Sequence, residues 1–262
     1  MASQGSVGIV TSYKQAGTLV LGGTAEAAAL ARAMAAAGLP GIFSYAGRTD
    51  APASQPLPTR IGGFGGVDGL VEFLIENKIR GIVDATHPFA AQMSRNAIAA
   101  ARVTGVPLLA LERPAWAPEL EDQWQVVQDV AGAVAALSGP AERVFLAIGR
   151  QNLADFAGRP QHHYLLRVVD PWAGEMPLAN AHVVVARGPF DVEGDAALLR
   201  SHGITRLVAK NAGGAGAVAK VLAARQLALP VIMIARPILP DRAVVNTVDA
   251  ALQWLHSADL GV

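Results

Sequence analysis

The stretch Leu19–Val20–Leu21–Gly22–Gly23–Thr24–Ala25–Glu26–Ala27 decides how this 262-residue chain reads. An unbroken apolar run fits a strand covered on both faces, the glycine pair a tight turn, and the Ala-rich continuation to Ala37 a helix. A strand that passes through glycines into a helix gathers backbone N–H groups and the positive end of the helix dipole at one point, which suits a pyrophosphate. Against the pattern G-x-G-x-x-G, the three positions are Gly22, Thr24 and Ala27, so a hydroxyl residue replaces the middle glycine. A structural turn would look similar. What favours phosphate binding is the place of the turn, after the first strand of a βαβ pattern. Gly22, Gly23, Thr24, Ala25 and Glu26 are therefore cofactor-binding candidates.

Working outward, strands are expected at Gly41–Ala46, Gly81–Ala85 and Val106–Leu111, with helices at Val67–Asn77 and Ala90–Thr104. Arg113–Gln123, with two prolines, breaks the rhythm. Trp124–Val127 then reads as a strand, Val130–Leu137 as a short helix and Ser138–Glu142 as a linker. From Val144 the alternation restarts, with strands at Val144–Ile148, Tyr164–Val169, His182–Ala186, Leu207–Lys210 and Val231–Ile234. Helices are expected at Gln151–Phe156, Val192–His202, Ala215–Leu227 and Val248–His256. The fold class is α/β, with two Rossmann-like domains, mostly parallel sheets and an interdomain cleft. The expected organisation is a leader over 1–17, an NADP-binding domain over 18–140 and a second domain over 141–262 that contributes to the substrate cleft. Arg113–Leu137 is compatible with packing on its own domain or crossing to the other.

Composition narrows the function. Lys plus Arg total 21 and Asp plus Glu total 21, a balance that argues against nucleic acid or a membrane surface as partner. Of the basic residues 17 are Arg and 4 are Lys. That skew suits anionic ligands and equally reflects a GC-rich coding sequence. The absence of cysteine removes disulfides, thiolate metal sites and cysteine nucleophiles. No apolar run reaches the roughly 18–20 residues of a bilayer span, and Met1–Gly17 lacks a signal core, so a cytoplasmic location is expected.

At the end of the second expected strand lies Ser44–Tyr45–Ala46–Gly47–Arg48–Thr49. NAD-preferring folds place an acid here to hold the ribose 2′-hydroxyl, whereas hydroxyls and a guanidinium suit a 2′-phosphate and favour NADP. An ordinary exposed loop arginine is the alternative. Ser44, Gly47, Arg48 and Thr49 join the cofactor candidates, as do Gly63 and Phe64 from the run Gly62–Gly63–Phe64–Gly65–Gly66. Asp84–Ala85–Thr86–His87–Pro88–Phe89–Ala90 ends the third strand, on the edge where open α/β sheets do chemistry. His87 is a candidate proton donor or carboxylate holder with Asp84 to orient it, and equally a cap for the helix that follows.

Three turns in the second half repeat one theme, a cation or amide beside glycine: Gly149–Arg150–Gln151–Asn152, Arg187–Gly188–Pro189–Phe190 and Lys210–Asn211–Ala212–Gly213–Gly214–Ala215–Gly216. Arg236–Pro237 adds a fourth. His162 and His163 are adjacent on an expected strand and point to opposite faces, so no metal is expected there. No tyrosine precedes a lysine by four residues, which removes the short-chain dehydrogenase pair. P-loop, H-E-x-x-H and G-x-S-x-G patterns are also absent.

From Thr18 to Leu255 these motifs, in their order and spacing, resemble the precorrin-6A and cobalt-precorrin-6A reductase family. The resemblance rests on Leu21–Ala27, Ala46–Thr49, Gly62–Gly66, Asp84–Ala90 with Ser94 and Asn96, Ile148–Gln151 and Lys210–Gly216. It implies NADPH-dependent reduction of precorrin-6A to precorrin-6B in cobalamin biosynthesis, by hydride transfer to a macrocycle double bond. It also implies a tetrapyrrole-derived substrate whose acetate and propionate arms meet cationic turns, and it leaves room for transient contact with neighbouring enzymes of the pathway. His87, Lys210 and Asp84 become the catalytic candidates. Thr86, Pro88, Phe89, Ser94, Arg150, Gln151, Arg187, Asn211, Gly213 and Gly214 become the substrate-binding ones. The proton source, among His87, Lys210 and water, stays open, as does the choice between metal-free and cobalt-bound substrate. Two rival readings are a non-catalytic NADP-sensing or anion-binding module, and an NADP-dependent reductase of another polycarboxylate.

Overall fold

Strands that are apolar at every position need cover on both faces, and this chain supplies it twice. The computed structural model describes residues 17–47 and 53–257; Arg48, Thr49 and all but the last residue of the expected leader lie outside them. In chain order the elements are β1 (Thr18–Leu21), α1 (Ala25–Ala36), β2 (Gly41–Tyr45), β3 (Thr59–Ile61), α2 (Val67–Glu76), β4 (Gly81–Asp84), α3 (Ala91–Thr104) and β5 (Leu108–Leu111). Next come β6 (Trp124–Val127), α4 (Val130–Ala136), β7 (Arg143–Ala147), β8 (His163–Val168), β9 (Ala181–Val185), α5 (Val192–Ser201) and β10 (Arg206–Lys210). The chain closes with α6 (Ala219–Gln226), β11 (Val231–Ile234), β12 (Ala243–Val245) and α7 (Val248–Ser257).

All strand pairs are parallel and form two six-stranded sheets, β12-β5-β4-β1-β2-β3 and β6-β11-β10-β7-β8-β9. Each holds five consecutive strands in the order 5-4-1-2-3, and the sixth comes from elsewhere. β6 follows β5 in sequence yet pairs with β11, whereas β12 follows β11 yet pairs with β5. The two units have exchanged their sixth strands. The helices go with them, α4 onto β11 and α7 onto α1 and β5. One unit thus runs to Arg113 and resumes at Leu239, and the other is Pro114–Ile238. This division departs from the boundary at 140 read from the sequence, because from Pro114 the stretch to Leu137 joins the second sheet and the chain's end returns to the first.

In the first sheet side chains alternate between two cores, as the period of a strand requires. Leu19, Leu21, Ile42 and Ile82 pack with Leu70 and Leu74 of α2 and Ala97 and Ala100 of α3. Val20, Phe43 and Val83 pack on the other face with Leu30 and Met34 of α1 and Ala251 and Leu255 of α7. Each such buried aliphatic contributes about 1.5–3 kcal/mol. In the second sheet Phe145, Leu165, Leu207 and Met233 meet Leu199 of α5 and Val221 of α6.

The segment entering the second unit is extended yet well anchored. The Asn211 side-chain oxygen accepts from Trp116 N at 2.8 Å, and its amide donates to Trp116 O at 2.9 Å. Trp116 Nε1 donates to Gly214 O at 2.8 Å, and Arg225 of α6 grips Asp122 through Nε and Nη2 at 3.0 and 2.9 Å. That guanidinium holds the Asp122 carboxyl below the usual carboxylate value. Burial pushes the Tyr164 hydroxyl up to about 12, where it donates to Arg159 O at 2.9 Å. His162 is a core residue: Nδ1 accepts from Glu142 N at 3.1 Å and Nε2 meets Leu137 O at 2.8 Å. Two expected helices change form. Gln151–Phe156 becomes two short 3-10 turns, and the helix expected from Ala215 begins only at Ala219, past Gly213 and Gly214, both with φ of +68°.

Candidate functional site

The order 5-4-1-2-3 reverses direction between β1 and β4, and at such a switch point the loops leaving the two strands part and open a crevice. The Gly22–Gly23–Thr24 turn leaves β1 there. A β-carbon on Gly22 would lie 2.2 Å from the Phe43 ring, so the first glycine lets the turn pass over the core. Gly23 has φ of +119°, a conformation that disfavours a side chain. Thr24 caps α1, accepting from Ala27 N at 3.1 Å, and donates its own hydroxyl proton to Ala85 O at 2.8 Å beyond β4. One hydroxyl therefore closes the helix start and ties both lips of the switch point together. Ala25 opens α1, and Glu26 in its first turn pairs with Arg113 at 3.0 Å.

At the end of β2, buried Ser44 accepts from Arg60 Nη1 at 2.9 Å. Arg60, on β3, also donates to Gly62 O at 2.8 Å and Gly63 O at 3.0 Å. Its guanidinium stacks on Phe64 at 3.8 Å and lies 5.3 Å from Phe73. Gly47, with φ of +74°, runs beside Gly62. Ser44, Gly47, Gly63 and Phe64 are thus brought together around Arg60, a residue that the sequence reading missed.

At the end of β4, Asp84 is 3% exposed and accepts through Oδ1 from Thr86 N at 3.2 Å and from Thr86 Oγ1 at 2.7 Å. Thr86 Oγ1 in turn lies 3.4 Å from the hydroxyl of buried Ser94. Asp84 Oδ2 is buried with no partner among the described residues. Such an orphan costs on the order of 1–3 kcal/mol and calls for a functional explanation. Asp84 bonds Thr86, where the sequence reading has it orienting His87. His87 Nδ1 accepts from Phe89 N at 3.2 Å, which leaves the ring proton on Nε2 of the neutral imidazole. Pro88 is buried beside it, and the His87 and Phe89 rings are 5.9 Å apart.

In the second unit the expected cationic turns all follow carboxyl ends of strands. Lys210 Nζ donates to Asn152 Oδ1 at 2.9 Å. Arg150 donates to the carbonyls of Asp170 and Pro171, with Gln151 beside it. Arg187, two-thirds exposed, stands 3.6 Å from Asp170. Arg236 donates to Asn211 O at 3.0 Å and Ala212 O at 3.2 Å, so it braces the turn that carries Gly213 and Gly214. Arg167, also missed from the sequence, is paired by both arms with buried Asp195 and stacks 3.6 Å over Phe190. That pair holds the turn after β9.

A parallel sheet in this order, with a glycine turn at its switch point leading into a capped helix, defines an α/β protein of Rossmann type. The family described as Precorrin-6x reductase CbiJ/CobK matches residues 18–256. The chain is 59% identical over 237 residues to a precorrin-6A reductase of Rhodobacter capsulatus, covering 90% of this chain and 94% of that one. It is 46% identical over 259 residues to a precorrin-6A reductase of Sinorhizobium sp., covering 97% and 99%. A cobalt-precorrin-6A reductase of Priestia megaterium is 30% identical over 200 residues, covering 72% and 77%. A solved structure, CobK precorrin-6A reductase, superposes with a TM-score of 0.89 at 58% identity, over 92% of this chain and 96% of that one. The chain belongs to the precorrin-6x reductase family, and it is an oxidoreductase of cobalamin biosynthesis. Among the described residues no helix is long and apolar enough to cross a membrane.

Proposed function

We propose that the chain reduces precorrin-6A to precorrin-6B with NADPH as the reductant, and that the first unit binds the dinucleotide. The observation that carries this reading is the glycine turn at the switch point of a 5-4-1-2-3 sheet, tied by Thr24 to the end of β4. Around it the residues present fit a phosphorylated dinucleotide. The turn leaves room for a pyrophosphate at the α1 N-terminus, and the end of β2 carries Ser44, bonded by Arg60 of β3, in place of an acid. Bound NADPH supplies hydride from its nicotinamide ring.

The chain's own part is positioning and proton supply. Adding hydride to one carbon of the macrocycle double bond calls for a proton at its neighbour. His87 is the donor in this reading, by its place in the loop that leaves β4; it gives the proton as imidazolium, a state in which Nδ1 no longer accepts from Phe89 N. Asp84 holds the Thr86 end of the same loop, and its orphan Oδ2 is available to a bound group. In the second unit, Arg150, Arg187 and Lys210 offer cations at strand ends to the substrate's carboxylate arms, where charge-assisted bonds fix orientation. Among the alternatives, the metal-free substrate is favoured by the higher identity to precorrin-6A reductases, 59% against 30% for the cobalt-type relative. The test is to mix protein, NADPH and precorrin-6A and follow loss of reduced nicotinamide. Oxidation that needs the corrin substrate is expected; binding without oxidation would favour a sensing module, and oxidation only with other polycarboxylates would favour the second rival.

A further inference from the structure

We infer that Arg60 sets the preference for a 2′-phosphorylated dinucleotide, by its charge and by the way it orients the Ser44 hydroxyl. The inference rests on the reading that the reductant is NADPH. Ser44 and Arg60 are register partners on the parallel strands β2 and β3, so both stand at the edge where the adenosine ribose of a Rossmann fold lies. In that position an acidic side chain would accept from the ribose 2′-hydroxyl and repel a phosphate. Here the position holds a serine that accepts from a guanidinium at 2.9 Å. Because Ser44 Oγ receives that proton, its own O–H can rotate to donate to a ligand acceptor. A phosphate only accepts from such a donor, whereas a ribose hydroxyl has other choices.

The geometry of Arg60 suits a fixed charge better than a wandering one. Nη1 is shared between Ser44 Oγ and Gly62 O, Nη2 reaches Gly63 O, and the plane lies against Phe64. An arginine held on one face by an aromatic ring and along its edge by carbonyls has lost its rotamer freedom on folding, before any ligand arrives. The glycine-rich run after β3 gives the backbone the turns that bring those carbonyls back to the strand end: Gly62, Gly65 and Gly66 all have positive φ. Charge and oriented hydroxyl together favour the phosphorylated ribose over the plain one.

The test measures dissociation constants of NADPH, NADH and the fragments 2′,5′-ADP and 5′-ADP for wild type, Arg60→Met, Arg60→Lys and Ser44→Ala. Arg60→Met is expected to weaken NADPH and 2′,5′-ADP by about 10- to 100-fold and NADH and 5′-ADP by less than about 3-fold. Arg60→Lys, which keeps the charge and loses the fork, is expected to fall between, and Ser44→Ala to reduce the same ratio by a smaller factor. If Arg60→Met is poorly folded, Arg60→Lys and Ser44→Ala carry the test. Equal weakening of all four ligands would mean that Arg60 only braces the loop, and would overturn the inference while leaving the NADPH reading intact. A wild type that binds NADPH no better than NADH would overturn both.

Discussion

The Thr24 hydroxyl donates to Ala85 O at 2.8 Å while accepting from Ala27 N at 3.1 Å, so one side chain closes the start of α1 and joins the loops leaving β1 and β4. Removing it should cost stability and cofactor affinity together. Thr24→Val, which keeps the shape and loses both bonds, is expected to destabilise the protein by about 1–2 kcal/mol in denaturant titrations. It should also raise the NADPH dissociation constant, because the glycine turn after β1, the proposed dinucleotide site, loses its brace. Thr24→Ser should restore both.

Gly22 makes a sharper steric prediction. A β-carbon there meets the Phe43 ring at 2.2 Å, and that ring is fully buried against Leu30 and Met34. Gly22→Ala is expected to lower stability by about 1–3 kcal/mol, as overpacking does. Adding Phe43→Leu should recover part of the loss in a double-mutant cycle, and strict additivity of the two changes would contradict the contact.

Strand β1 and the turn between β1 and α1 were legible because their signals are local: three apolar residues, two glycines, a capping threonine. β3 and β12 were not. Each is three residues long and sits at or near a sheet edge, so Thr59–Arg60–Ile61 and Ala243–Val244–Val245 show no run that would separate them from loop. With β3 unseen, nothing placed Arg60 opposite Ser44. The exchange of β6 and β12 was invisible for a different reason. Which sheet a strand joins depends on packing across more than a hundred residues of chain, and Trp124–Val127 reads as a strand in either place. In the candidate site, His87 and the Asp84 loop stood out by residue type. That Asp84 turns to Thr86, and that Asn211 is taken up by Trp116, depended on contacts no spacing reveals.

Acid should loosen the second unit at its entry. Asp122, whose carboxyl is held below the usual value chiefly by its bonds to Arg225, stabilises the fold while ionised. Its folded value is the lower one, so the contribution is full above about pH 4, the unfolded value, and is lost as pH falls through the folded value. Asp122→Asn is expected to cost about 2 kcal/mol at neutral pH and to flatten the acid limb of a stability–pH curve. An unchanged acid limb would assign that limb to other carboxylates.

His87 and Asp84 should separate in kinetics. His87→Gln is expected to lower kcat by about 100-fold or more, as loss of a general acid does, with KM little changed. Asp84→Asn should affect kcat through the Thr86 loop while leaving the binding of NADPH alone close to wild type. A His87→Gln enzyme with wild-type kcat at every pH would move the donor role to Lys210 or water.

The most direct test of the whole account is label transfer. NADPH carrying deuterium at the transferable position of nicotinamide C4 is mixed with precorrin-6A and the protein, and the corrin product is analysed by mass spectrometry and NMR. Direct hydride transfer predicts one deuterium at a single carbon of precorrin-6B and one solvent-derived hydrogen at its neighbour. A product with no deuterium, or with both new hydrogens from solvent, would contradict direct hydride transfer from NADPH.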